Sequence, residues 1–78
     1  MNQKTKLLAR AQATPATLMY EEFLTLLRQN GFELRNQSGS HKQWLSSKNE
    51  PLTTQPRKDG KAHKYQVLQA LIMMGGLK

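Results

Sequence analysis

Between Met19 and Asn30 the apolar residues Tyr20, Phe23, Leu24 and Leu27 fall at i, i+3, i+4 and i+7, the spacing of one face of an α-helix. Glu21 and Glu22 stand in its first turn and Arg28 in its last, which suits the helix dipole. Gly31 follows where a C-terminal cap belongs. The period then drops to two. In "FELRNQ", Phe32 and Leu34 alternate with Glu33 and Arg35, the pattern of a half-buried strand. "SG" predicts a turn, "SHKQWLS" a second strand, "SKNEP" a loop, and "LTTQP" a short third strand that stops at Pro56. After the basic loop "RKDGKAH" the helical period returns. Val67, Leu68, Leu71 and Ile72 mark a helix from Lys64 to about Met74, ended by a Gly-Gly pair. Upstream, "QKTKLLARAQ" is rich in helix formers, with Leu7, Leu8 and Ala11 on one side, and "ATPAT" breaks it.

The predicted order is α-α-β-β-β-α in one α+β domain spanning residues 1–78, with 1–16 as an additional N-terminal helix and linker. Three short antiparallel strands of this kind form a sheet covered by helices on one face and open on the other. Alternation assigns the faces. Phe32, Leu34, Trp44 and Leu52 point inward, building a core with Phe23, Leu24, Leu27, Leu68 and Leu71. Glu33, Arg35, Gln37, His41, Gln43, Thr53 and Gln55 point outward, with Arg57 just beyond, and Leu45 falls on the open side. Arg35, His41, Gln43, Gln55 and Arg57 are thereby expected on one polar, basic face.

Charge sharpens that picture. The chain of 78 residues carries a net charge of +7. From Arg35 onward eight basic residues stand against two acidic ones, so +6 of the +7 lies in that part. A one-sided basic field favours a polyanion, nucleic acid first and an anionic membrane surface second. There are no cysteines, which excludes disulfides and thiolate zinc sites. The apolar runs are too short to span a bilayer, and the basic N-terminus has no hydrophobic stretch after it, so no secretory signal is read. A cytoplasmic protein without membrane partners is expected.

The candidate chemistry lies in "QSGSHKQW", where His41 directly follows a Ser-Gly-Ser turn. Residue statistics alone make it an ordinary half-exposed strand residue. Metal binding has little support, because the other histidine, His63, is far along the chain in a basic loop and nothing else lies at ligand spacing. A Ser-His-Asp triad fails too: the only aspartate, Asp59, sits among lysines, and Ser40 next to His41 in a strand points to the opposite face. One reaction needs only what is present. RNA carries its own nucleophile, the 2′-hydroxyl. A histidine serves as general base or acid in transesterification while Lys and Arg hold the phosphate, and an imidazole ordinarily titrates near neutrality. No metal or cofactor is required.

"YEEFLTLLRQNGFELRNQSGSHKQW" resembles the HicA-type toxins of bacterial toxin–antitoxin modules, in the "GF" followed at family spacing by "GSH" with an aromatic residue beyond. "LTTQPRKDGKAHKYQVLQAL" is similar to the family's third strand, basic loop and last helix, and the leading segment to a subgroup with an extra N-terminal helix. The resemblance implies a fold like that of double-stranded-RNA-binding domains. It implies a metal-independent endoribonuclease that cleaves mRNA and a HicB-type antitoxin that blocks it. The family's catalytic histidine falls on His41 and its glycine on Gly39, with Ser40 completing the active-site turn. Many members carry a second histidine after the proline of the third strand, where this chain has Arg57. Candidate RNA contacts are Arg35, Lys42, Arg57, Lys58, Lys61 and Lys64. The alternatives are a double-stranded-RNA-binding module without catalysis, which explains the charge but gives "GSH" no purpose, and a protein–protein adaptor.

Overall fold

The computed structural model describes residues 3–75, with side chains from Lys6 onward. The element order is α1 (Gln3–Ala13), a 3-10 turn (Pro15–Thr17), α2 (Tyr20–Gln29), β1 (Glu33–Ser38), β2 (His41–Leu45), β3 (Pro51–Thr54) and α3 (Lys64–Met73), the order expected from the sequence. Gly76 and the extreme termini lie outside the described residues. The strands form one antiparallel sheet in the order β1-β2-β3.

Each boundary has a local cause. Helix α2 ends in a Schellman motif: Gly31, at φ +86°, donates to the Arg28 carbonyl and Phe32 to the Leu27 carbonyl. Phe32 is thereby carried into the core as a residue of the helix cap, ahead of the first strand. Ser38 pairs with His41 across a loop of Gly39 and Ser40. Gly39 lies at φ +60° while Ser40 does not have positive φ, the sign pattern of a type II′ hairpin turn. Between β2 and β3 the Ser46 hydroxyl accepts the N–H groups of Lys48 and Glu50, and Asn49 takes the left-handed position at φ 61°.

The core joins Leu18, Phe23, Leu24, Leu26, Leu27, Phe32, Trp44, Leu52, Val67, Ala70 and Leu71, with Ala11 of α1 and Ala62. Trp44 and Leu52 face each other across the ladder, as the alternation requires. At the centre sits a buried hydroxyl. Thr54 Oγ1 lies 3.0 Å from Trp44 Nε1 and 3.0 Å from the Tyr20 hydroxyl, so one atom ties β3, β2 and α2 together.

Three expectations are corrected. Leu34 stands opposite Trp44 in the register but is 42% exposed. All six residues of β1 are exposed, because β1 is an outer strand beyond the cover of the helices. Strict alternation in β1 also fails. The register shifts between Leu34 and Asn36, a β-bulge that adds a residue at Arg35. Asn36 then pairs with Gln43 and Gln37 with Lys42, which moves Gln37 to the helix side and Asn36 to the open side. In α3, Ile72 is 62% exposed and Ala70 is buried in its place, while Leu68 is half-buried. The helix presents Val67, Ala70 and Leu71 to the core, where a small residue permits close approach.

Candidate functional site

His41 opens β2 directly after the turn, and its side chain is exposed. Trp44 of the same strand is buried against the helices, so alternation puts His41, Gln43 and Leu45 on the opposite, helix-free face. Gly39 beside it stands in open space: a Cβ placed there would meet nothing within 4 Å. The turn thus presents an imidazole anchored by the Ser38 pairing and open toward solvent.

The cations named from the sequence divide into groups. Arg35 and Gln43 line a shallow depression of the open face with Leu45, Pro51 and Thr53, and Arg35 makes a loose, exposed contact with Glu33 at 3.5 Å. Lys42 goes the other way. Its ammonium lies 5.3 Å from the centroid of the Tyr20 ring, on the face opposite His41. Arg57 and Lys58 border a second depression with Gln55, Pro56, Asp59 and His63. Lys61 is half-buried and Lys64 is exposed at the start of α3. The expected common face therefore holds for Arg35, His41 and Gln43, while Gln55 and Arg57 belong to a neighbouring concavity.

The basic loop is a built element. Gly60 donates to the Arg57 carbonyl at 3.0 Å, Arg57 donates to the Lys61 carbonyl at 2.9 Å, and Gly60 sits at φ +84°. This is a three-residue hairpin closed by a glycine bulge. Pro56 pairs with Ala62 below it and Lys61 with Met19 beside it. Tyr20 donates to the Gly60 carbonyl and Ala62 to that of Leu18, so the loop is stitched to the start of α2. Asp59 fastens the tip: its Oδ1 accepts the Lys61 N–H at 3.1 Å, and its Oδ2 faces Arg57 Nη2 at 3.3 Å. The Lys61 N–H, and behind it the Arg57 and Lys61 charges, hold this exposed carboxyl below its ordinary range.

The hairpin changes the position of His63. Far from His41 in sequence, it returns beside Gln55, Arg57 and Lys58 once Pro56 pairs with Ala62. The Asp-Gly pair inside "PRKDGKA" was the signal, since that dipeptide marks tight hairpins.

Among the described residues no group of three or more His, Cys, Asp or Glu side chains is placed to hold a metal ion, and no helix is long and apolar enough to cross a membrane. No curated protein and no solved structure matches the chain. A family model described as the HicA toxin of bacterial toxin-antitoxin matches residues 20–75, which takes in α2, all three strands and α3 up to its glycine terminus. Resting on that match, with the α-α-β-β-β-α order and the histidine at the hairpin turn, the chain belongs to the HicA toxin family of bacterial toxin–antitoxin systems.

Proposed function

We propose that this toxin is a metal-independent endoribonuclease that cleaves mRNA, with His41 as the proton-transfer group, and that a HicB-type antitoxin neutralises it. The observation that carries this reading is the placement of His41 on the first residue of β2, exposed on the helix-free face, beside a glycine turn. In the reaction His41 accepts the proton of a 2′-hydroxyl, O2′ bonds to the adjacent phosphorus, and the bond from phosphorus to O5′ breaks. One proton leaves O2′ and one is returned to O5′, so the step balances without a co-reactant. Arg35, Arg57, Lys58, Lys61 and Lys64 supply the field that holds the phosphates. Lys42, turned onto the Tyr20 ring, is left out of this set.

The test compares wild type, His41→Ala and His41→Gln as purified proteins on RNA and as expressed toxins in growing cells. Both variants are expected to fold, to bind RNA and antitoxin, and to lose about 10²–10⁴-fold in cleavage rate. Cleavage by either at the wild-type rate would refute the catalytic assignment. RNA binding without cleavage by the wild type would favour the non-catalytic RNA-binding module.

A further inference from the structure

We propose that the concavity between the basic hairpin and the start of α3 is a phosphate-binding subsite, with His63, Arg57 and Lys58 as its ligands, and that it takes a backbone phosphate of the RNA next to the one cleaved at His41. The proposal rests on the nuclease reading for the identity of the ligand, and on the following geometry for the site.

The depression has a volume of about 460 Å³ and is lined by Gln55, Pro56, Arg57, Lys58, Asp59 and His63. That lies within the roughly 300–1,000 Å³ of small-molecule sites, enough for a phosphate and its sugar. His63 is half-buried in it. Its backbone begins α3, its carbonyl accepting the Val67 N–H at 3.1 Å, but its side chain makes no capping hydrogen bond. Among the described residues the imidazole has no partner. A half-buried polar ring whose nitrogens bond to no protein group among the described residues is open to an outside ligand.

The charge around it defines that ligand as an anion. Arg57 and Lys58 stand on the rim, and the one carboxylate, Asp59, has both oxygens engaged, by the Lys61 N–H and by Arg57. Asp59 therefore fixes the guanidinium in place and leaves its remaining N–H groups for a second acceptor. The walls are held firmly: Gln55 donates its N–H to Gln66 Oε1 of α3 at 3.1 Å, and the hairpin is closed by the pairing of Pro56 with Ala62. The chain also leads from the site to the end of β2 that carries His41: Lys42 pairs with Thr54, and Gln55, at the edge of the depression, is the next residue.

The chain has two histidines, so His41→Ala leaves His63 as a single imidazole reporter. In that protein, labelled for NMR, inorganic phosphate and then a 2′-O-methyl oligoribonucleotide, which lacks the nucleophile, are titrated. Both are expected to shift the His63 imidazole resonances saturably, the oligonucleotide at roughly ten-fold lower concentration because it reaches further cations. Arg57→Gln with Lys58→Gln should weaken the phosphate effect by roughly ten-fold without changing the melting temperature appreciably. In the wild-type background His63→Gln should raise KM for RNA more than it lowers kcat. His63 resonances unmoved at saturating oligonucleotide, or a phosphate effect unchanged in the Arg57/Lys58 variant, would overturn the subsite. If that happens while His41→Ala still abolishes cleavage, the nuclease reading survives alone. If phosphate shifts His63 while His41→Ala cleaves normally, the subsite stands and the assignment of His41 as the proton-transfer group falls. A response to phosphate with none to the oligonucleotide would mean a site for free phosphate, and would overturn its place in RNA binding.

Discussion

Replacing Thr54 by valine keeps the shape of the side chain and removes one oxygen. Thr54 is fully buried, Trp44 is 1% exposed and Tyr20 6%. An indole N–H only donates, so the Thr54 hydroxyl is its acceptor at 3.0 Å, and the Tyr20 hydroxyl, also at 3.0 Å, shares the remaining capacity. Valine leaves both polar groups without a partner. A buried group stripped in this way costs about 1–3 kcal/mol, and the slight exposure of Tyr20 gives its hydroxyl some relief. The total is about 2–4 kcal/mol, a large fraction of the stability of a domain this size. At about 4–8 °C per kcal/mol, the melting temperature should fall by roughly 8–32 °C.

Thr54→Ser is the control. It keeps the oxygen and loses a methyl group, worth about 1 kcal/mol. The assay is thermal unfolding followed by circular dichroism and by the fluorescence of the single tryptophan. The expected ranking is wild type, then serine, then valine. Tyr20→Phe adds a second check, since it should cost less in the Thr54→Val background than in the wild type. A valine variant as stable as the serine variant would refute the argument that this hydroxyl holds α2, β2 and β3 together.

Acid should weaken the attachment of α1 to α2. The Met19 N–H, and after it the Arg10 guanidinium, hold the Glu22 carboxyl below its ordinary value of 4.5 against the opposing effect of desolvation. A depressed carboxylate stabilises the fold above the unfolded value and loses that contribution as pH falls below 4.5 through the folded one. Glu22→Gln should therefore flatten the acid limb of a stability-against-pH curve. Because the pair is partly exposed, it should cost only about 0.5–1 kcal/mol at neutral pH; an unchanged acid limb would refute the linkage. Neutralising Lys58, Lys61 and Lys64 together should reduce the salt slope of RNA binding by about 2, whereas Lys42→Gln should leave the slope alone and cost about 0.5–1 kcal/mol of stability through the lost Tyr20 contact. Equal effects on the slope would place Lys42 on the RNA after all.

What the sequence revealed follows from how local each signal is. The stripe Tyr20, Phe23, Leu24 and Leu27 is buried as its period demands, and Trp44 and Leu52 face inward together. Gly31 caps α2 and Gly39 turns the first hairpin because both signals act within a few residues. Leu34 could not be placed this way. Its exposure depends on how far the helical layer reaches, and the bulge at Arg35 cancels the alternation beyond it. In α3 the residues Val67, Leu68, Leu71 and Ile72 are compatible with more than one rotation of the helix, and tertiary contact selects the face that buries Ala70. Strand parity with Leu52 puts Thr54 on the inner face, but nothing local to it announces the two buried hydrogen bonds it makes to distant residues. At the candidate site His41 was legible because strand parity alone fixes its side. His63 was not, because its position depends on the pairing of Pro56 with Ala62.

Strand parity also explains how the site is divided. Placing His41 on the open face commits its neighbour Lys42 to the other, where its ammonium covers the Tyr20 ring instead of a phosphate. On the proposed reading, the "GSH" turn offers a proton-transfer group without an adjacent cation on its own strand, since the other residues of β2 on that face are Gln43 and Leu45. Under the proposed function, phosphate binding has to come from elsewhere in the chain. Arg35 supplies one cation on the open face, and the hairpin that follows β3 soon after the Lys42–Thr54 pairing supplies a group of them. A loop given that task must hold its charges in a fixed place, because the value of preorganised charge depends on position. This accounts for the amount of backbone bonding in a segment that reads as a simple basic loop. Two carbonyls, of Leu18 and Gly60, accept across the seam with the start of α2, and an aspartate turned onto Arg57 steadies the tip. The acidic residue in the middle of the basic run thus lowers the local net charge and, in exchange, sets the geometry of the charge that remains.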